Sequence, residues 1–358
     1  MKKIYLLGAM ASAMLAMTSC SSDEIAENNQ QPQNAIEFGT YLGRNAETRA
    51  ETNMTTEALQ NKGFGVFAFY TAQDNWADYA NQATPNFMNN QKVEYKTNAW
   101  TYSPLKYWPN NTGDKVSFFA YAPYDQAKTW AENKIEFEVK EKAADQTDLL
   151  FCPGHTNQGK PSTTNKIKFE FKHALSRIGF TVAYAADQTT AGGTLDANTK
   201  IVVKKVMLKA ANGTEGGAFH KSGKLNLTAT SADAAWEDGD LSSDKWVFTL
   251  EDNELQNTTV TATPQQLNTD KSYLMVIPKS TDFDVYVEYT VTTTDNNLTG
   301  KKSEITNKIT TNVGNIDFKA NYAYTLNLVL GMTSVKVEAD VTGWENGGDT
   351  TVDVPANN

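Results

Sequence analysis

Apolar and polar residues alternate along this chain in short runs separated by turn formers. In the first run Ile36, Phe38, Thr40 and Leu42 fall on one side and Glu37, Gly39 and Tyr41 on the other. That period of two predicts a strand with one buried face. Gly63–Tyr70 and Val116–Ala122 are apolar at successive positions, which predicts central strands covered on both faces, and Pro123 ends the second of them. Alternation resumes at Ile135–Val139, Ile167–His173 and Ile178–Tyr184, and Asp148–Cys152 reads as a short core strand. Further strands are expected over 201–209, 223–228, 246–250, 273–278, 283–291, 321–330 and 335–341. One helical turn is expected at Thr56–Asn61, and the polar, Asn-rich stretch Gln73–Lys92 reads as a loop. No long amphipathic helix is legible, so the chain reads as all-β, with two β-sandwich domains in series.

Pro153–Asn165 holds turn formers and no core residues, which places a linker at 153–165 between an N-terminal domain over 35–152 and a C-terminal domain over 166–344. Residues 345–358 form a tail in which Val352 and Val354 are the apolar points.

The first residues follow a different pattern. Lys2 and Lys3 precede an apolar run from Ile4 to Met17 and small residues that end at Cys20. The run is too short for a stable span and predicts a secretory signal over 1–19. The stretch Leu15-Ala16-Met17-Thr18-Ser19-Cys20 resembles a lipobox with Met17 in the usual place of Leu, which makes Cys20 the expected lipidation site. Ser21-Ser22-Asp23-Glu24 resembles the signal that sends some lipoproteins to the outer face of the outer membrane, and residues 20–34 read as an acidic, polar tether. Removing 1–19 takes two of 32 basic residues and none of 42 acidic ones, moving the formal charge from −10 to −12. That balance argues against nucleic acid as a partner. With Cys20 assigned to lipid, Cys152 has no disulfide partner in the chain, so stability must come from apolar burial.

Little in the sequence points to catalysis or a cofactor. His155, His173 and His220 share no ligand spacing, Cys152 has no redox context, and the acidic stretches Asp233–Asp240 and Asp295–Asn297 lack a calcium-loop pattern. No enzyme activity, metal or cofactor is therefore expected. Trp76, Tyr79, Trp100, Tyr102, Tyr107 and Trp108 concentrate aromatics in loop-like parts of the first domain. Trp76, Trp100 and Trp108 are therefore candidate glycan contacts, as in a surface lipoprotein or tip adhesin.

Arg44 and Arg49 lie in a polar segment just after the Ile36–Leu42 strand, open to a trypsin-like protease. Other ordered motifs accompany them: Thr48-Arg49-Ala50, Ala120-Tyr121-Ala122-Pro123, Asp148-Leu149-Leu150-Phe151, 171–178 (Phe-Lys-His-Ala-Leu-Ser-Arg-Ile), Tyr322-Ala323-Tyr324-Thr325-Leu326 and Val341-Thr342-Gly343-Trp344. In this order they resemble the fimbrillin family, the Mfa-like subunits of type V pili of anaerobic Gram-negative bacteria. The resemblance implies two tandem transthyretin-like β-sandwich domains and a lipidated, surface-exposed precursor at the outer membrane. It also implies an Arg-specific processing protease, and polymerisation with other pilin subunits by donor-strand exchange into a fimbria. Carried onto this chain, the cut falls between Arg49 and Ala50, with Arg44 the alternative, and Ile36, Phe38, Thr40 and Leu42 belong to a removable plug strand. Val335, Val337, Ala339 and Val341 present one apolar face and form the candidate donor strand. The same residues also suit the last strand of their own domain.

Overall fold

The computed structural model of the protein describes residues 34–42, 54–79, 84–162, 166–185, 195, 197–213, 215–295 and 301–344. Cys20, Arg44, Arg49, Ala50 and the tail 345–358 lie outside the described residues.

The described chain is all-β. Its first part contains β1 (Glu37–Leu42), β2 (Phe64–Ala72), β3 (Met88–Lys96), β4 (Ala99–Thr101), β5 (Lys115–Ala122), β6 (Lys134–Glu138), β7 (Leu150–Gln158) and β8 (Lys166–His173). There follow β9 (Ser176–Tyr184), β10 (Thr199–Ala210), β11 (Phe219–His220), β12 (Ser222–Asn226), β13 (Lys245–Trp246), β14 (Phe248–Glu251), β15 (Gln265–Gln266) and β16 (Leu274–Val276). The last strands are β17 (Ser280–Asp295), β18 (Lys301–Asp317), β19 (Tyr322–Leu330) and β20 (Val335–Gly343). Two short helices, α1 (Thr56–Lys62) and α2 (Trp76–Tyr79), interrupt the first part. Thr55 caps α1 by accepting from the Ala58 N–H at 3.1 Å, and Gly63 ends it at φ 69°. A side chain on Gly63 would stand 2.5 Å from the Val93 carbonyl oxygen, so glycine is needed there for both dihedral and space.

A seven-stranded sheet runs in the order β1-β8-β7-β5-β2-β3-β4. It is covered on both faces, as the continuous apolar runs of β2 and β5 predict. Phe64, Val66, Phe118, Ala120, Cys152, Phe169 and Phe171 enter one apolar cluster with β1, while Phe67, Phe69, Phe119 and Tyr121 enter a second. The second cluster is continuous with the rest of the protein, where the sheets β14-β10-β17-β18 and β15-β9-β19-β20 contribute Val206, Leu208, Val287, Phe180, Leu326 and Leu328. This layering is consistent with β-sandwich packing. β6 leaves the first part to pair with β12.

Pro153–Gln158, expected in the linker, instead continue β7. β8, expected in the second domain, pairs with β1 and β7 in the first sheet. The chain crosses from β8 to β9 through Ala174 and Leu175, both fully buried, so the passage between sheets lies inside the core. Turn formers at 153–158 do not end the strand, because backbone pairing does not require core side chains. The stretch expected as the Gln73–Lys92 loop contains α2 and the start of β3, and β18 went unpredicted because its side chains are mostly polar and exposed.

Candidate functional site

β1 sits at one end of the seven-stranded sheet, and its inward side chains are the first link between sequence and site. Ile36, Phe38 and Leu42 are 0%, 2% and 4% exposed. Phe38 lies amid four rings, with centroids 5.2 Å from Tyr102, 5.5 Å from Phe169 and 6.1 Å from both Phe64 and Phe118. Burial of this kind contributes about 1.5–3 kcal/mol per large side chain.

One edge of β1 is held by a parallel ladder to β8, in which Glu37 faces Lys166, Gly39 faces Lys168 and Tyr41 faces Glu170. The other edge meets the segment after β4. The Ile36 N–H donates to the Lys106 carbonyl at 2.8 Å, and the Trp108 N–H donates to the Asn34 carbonyl at 3.1 Å. Tyr102 donates its hydroxyl to the Ile36 carbonyl at 2.7 Å, and the Trp100 indole N–H donates to the Thr40 hydroxyl at 3.1 Å. Burial pushes the Tyr102 phenol up to about 12, so it remains a neutral donor at any physiological pH. β1 thus closes a seam between β8 and residues 100–108. Taking it out would uncover a groove lined by rings and leave the β8 backbone unpaired on that side, an edge that accepts another strand.

The candidate donor residues lie in β20, which pairs antiparallel with β19 from Val335 opposite Leu330 to Gly343 opposite Tyr322. Ala339 and Val341 are buried, and Val335 and Val337 pack partly against the core. β20 ends the order of its sheet and so has one paired edge.

The candidate glycan contacts do not form an exposed platform. Trp76 packs against Phe69 at 4.9 Å and Phe119 at 4.8 Å, Trp108 packs against Phe118 at 5.8 Å, and Trp100 packs against Phe64 at 4.9 Å. Trp76 and Trp108 are 7% and 2% exposed, while Tyr107 alone of these loop aromatics is well exposed, at 47%. Large rings in short segments close the margins of the sheet here because they supply much apolar area per residue.

Among the described residues, no group of three or more His, Cys, Asp and Glu side chains converges as a metal site. Burial lowers the pKa of both His155 and His220. Burial also pushes the Cys152 thiol up to about 12. At pH 8 Cys152 is therefore expected to ignore a thiol reagent in the native chain and to react after unfolding in urea. Rapid labelling of the folded chain would contradict its burial.

One polar cluster escaped the sequence reading. Asp148, fully buried, accepts from the Met54 N–H at 2.7 Å and lies 2.8 Å from Nδ1 of His173. The His173 ring stacks on Trp344 at 3.9 Å, and the Arg177 guanidinium lies over both Tyr273 and Trp344. Asp148, His173, Arg177 and Trp344 each fall within one of the ordered motifs, but nothing in their spacing reveals that they meet.

A family model described as fimbrillin-like matches residues 48–344. The chain is 28% identical to the fimbrium subunit Fim1C of Phocaeicola vulgatus, over 96% of this chain and 98% of that protein. The crystal structure of a fimbrial protein from Bacteroides vulgatus has a similar fold, with a TM-score of 0.65 and 23% identity over 87% of this chain and 99% of that one.

Proposed function

Since the chain belongs to the fimbrillin-like family, we propose that it is a structural subunit of a surface fimbria, held in an unpolymerised state by β1. The family is one of fimbrial proteins and not of enzymes. In this reading the precursor is anchored to the outer membrane through lipid on Cys20, and an Arg-specific protease cuts after Arg49, or after Arg44. β1 then leaves with the tether, and an extended strand from a neighbouring subunit takes its seat. β20 is the strand whose one-sided apolar pattern suits it to being given to a neighbour. The two parts of the chain are read as transthyretin-like sandwiches.

The observation that carries the proposal is the seating of β1. With the preceding Ile36 it buries three large side chains, has a strand ladder on one side only, and is followed within a few residues by Arg44 and Arg49. The family match begins at residue 48, beyond β1, which supports treating β1 as separable from the body. Incubating the soluble precursor with an Arg-specific protease is expected to give ladders above monomer size in unboiled SDS electrophoresis. Arg49→Ala is expected to slow both cleavage and laddering. A trimmed monomer that never ladders, alone or with its co-expressed subunits, would sink the exchange reading.

A further inference from the structure

We infer that the seat of β1 selects its next occupant by side-chain chemistry, and that it fits a strand from a different subunit better than β20 of a second copy of this chain. The inference rests on the exchange reading above and adds what the seat recognises.

Some of the contacts to β1 are blind to sequence. The Tyr102 hydroxyl and the Lys106 carbonyl hold the Ile36 backbone, and the β8 ladder pairs main chain with main chain. Any extended strand can satisfy these groups.

Three features do read side chains. The first is the space filled by Phe38, enclosed by the rings of Phe64, Tyr102, Phe118 and Phe169. A smaller side chain there leaves an unfilled cavity in an aromatic surround. The second is the Trp100 indole N–H, which donates to the Thr40 hydroxyl and loses its acceptor if an aliphatic residue occupies that place. The third is charge along the outward face. Lys166 stands opposite Glu37, and Glu170 stands opposite Tyr41, whose ring also receives the Lys168 ammonium at 5.0 Å from its centroid.

β20 has the same spacing of inward residues as β1, so the two can be compared position by position. Val335, Val337, Ala339 and Val341 would take the places of Ile36, Phe38, Thr40 and Leu42. Val337 does not fill the ring-lined space, and Ala339 offers Trp100 no acceptor. Outward, Lys336 would face Lys166 and Asp340 would face Glu170, two like-charge pairs against one favourable pair of Glu338 with Lys168. Reversing the strand removes the like-charge pairs, with Asp340 opposite Lys166 and Lys336 opposite Glu170, but it leaves the ring-lined space worse filled, because Ala339 then stands for Phe38, and Val337 in the place of Thr40 still offers Trp100 no acceptor. The seat is suited instead to a strand with an acid at its first outward position, an aromatic ring at its second inward position and Ser or Thr at its third.

The test uses the full chain nicked by an Arg-specific protease within 43–53, and measures exchange of fluorescent peptides into the vacated seat by anisotropy. The peptide of residues 34–42 is the reference. Its Phe38→Val form is expected to bind roughly ten- to thirty-fold more weakly, and its Thr40→Ala form about three- to ten-fold more weakly. The peptide of residues 333–343 is expected to be weaker than either. In a Trp100→Phe chain the Thr40→Ala penalty should shrink to below about twofold, since the donor is gone. Binding of the 333–343 peptide as tight as the reference, or an unchanged Thr40→Ala penalty in Trp100→Phe, would overturn the selection alone. Failure of every peptide to enter, the reference included, would overturn the exchange reading and this inference with it.

Discussion

Phe38→Ala is expected to destabilise the uncut chain by about 3–5 kcal/mol in urea unfolding, the range found for large-to-small changes in well-packed cores. Phe38 is 2% exposed and touches rings from β2, β5, β8 and the segment after β4, so no single neighbour can move in to fill the space. The loss should be felt first as release of β1. Amide exchange across Glu37–Leu42 and along the facing β8 should accelerate, because β1 has a continuous ladder on one side only. Tyr41→Ala is the control on the opposite face. Tyr41 is 48% exposed and its main partner is the Lys168 ammonium, so its removal should cost less than about 1 kcal/mol. A Phe38→Ala chain as stable as Tyr41→Ala would mean that β1 does not seal the core. In the fimbrial reading the same substitution should hasten laddering after the cut, because a looser plug leaves sooner.

The strands that declared themselves in the sequence are those whose side chains divide sharply between core and solvent. β1, β6 and β8 alternate, and β2 and β5 are apolar over most of their length because both of their faces are covered. β18 was silent for the opposite reason. It runs along an edge for 17 residues, paired with β17 but mostly exposed, and where its burial alternates, over 307–313, the half-buried positions include Asn307 and Thr311, so the sequence carries little apolar alternation. The end of β7 was hidden in the same way, since Pro153 and Gly154 are turn formers that here continue a strand. Of the site, the inward residues of β1 were legible, whereas its polar fixings were not. Thr40 meets Trp100 across 60 residues, and Ile36 meets Tyr102 across 66, distances over which composition and periodicity carry no information. The aromatic segment after β4 is legible in composition, whereas the direction of each ring is not. Tyr102 and Trp108 turn inward to close the seam, at 8% and 2% exposure, while Tyr107 stays outward at 47%.

Asp148→Ala is expected to cost about 3–5 kcal/mol, since it leaves two buried donors without an acceptor at roughly 1–3 kcal/mol each. Asp148 is fully buried and 4% of the His173 residue surface is exposed, so neither partner has water to turn to. The contact is satisfied when Nδ1 of His173 donates to the Asp148 carboxyl oxygen. Truncation would leave that N–H and the Met54 N–H without an acceptor, and would remove an acidic group whose field favours the charge on the buried Arg177. Arg177 Nε and Nη1 have no hydrogen-bond partner, and burial already lowers its pKa, so its charge relies on Asp148 and on the rings of Tyr273 and Trp344. Asp148→Asn should cost less, because an amide oxygen can still accept from one of the two donors. Glu304→Ala, on exposed β18, should fall within about 0.5 kcal/mol of the parent. The position of the cluster sets the reach of the effect. Met54 begins the body after the segment that holds Arg49, His173 ends β8 where the chain crosses between sheets, and Trp344 follows β20. Loss of Asp148 should therefore speed amide exchange at Met54, at the β8–β9 crossing and at the end of β20 together, while β3 and β17 keep their protection. Loosening confined to one of those three places would show that the cluster is a local contact and does not bind the two ends of the body to its middle.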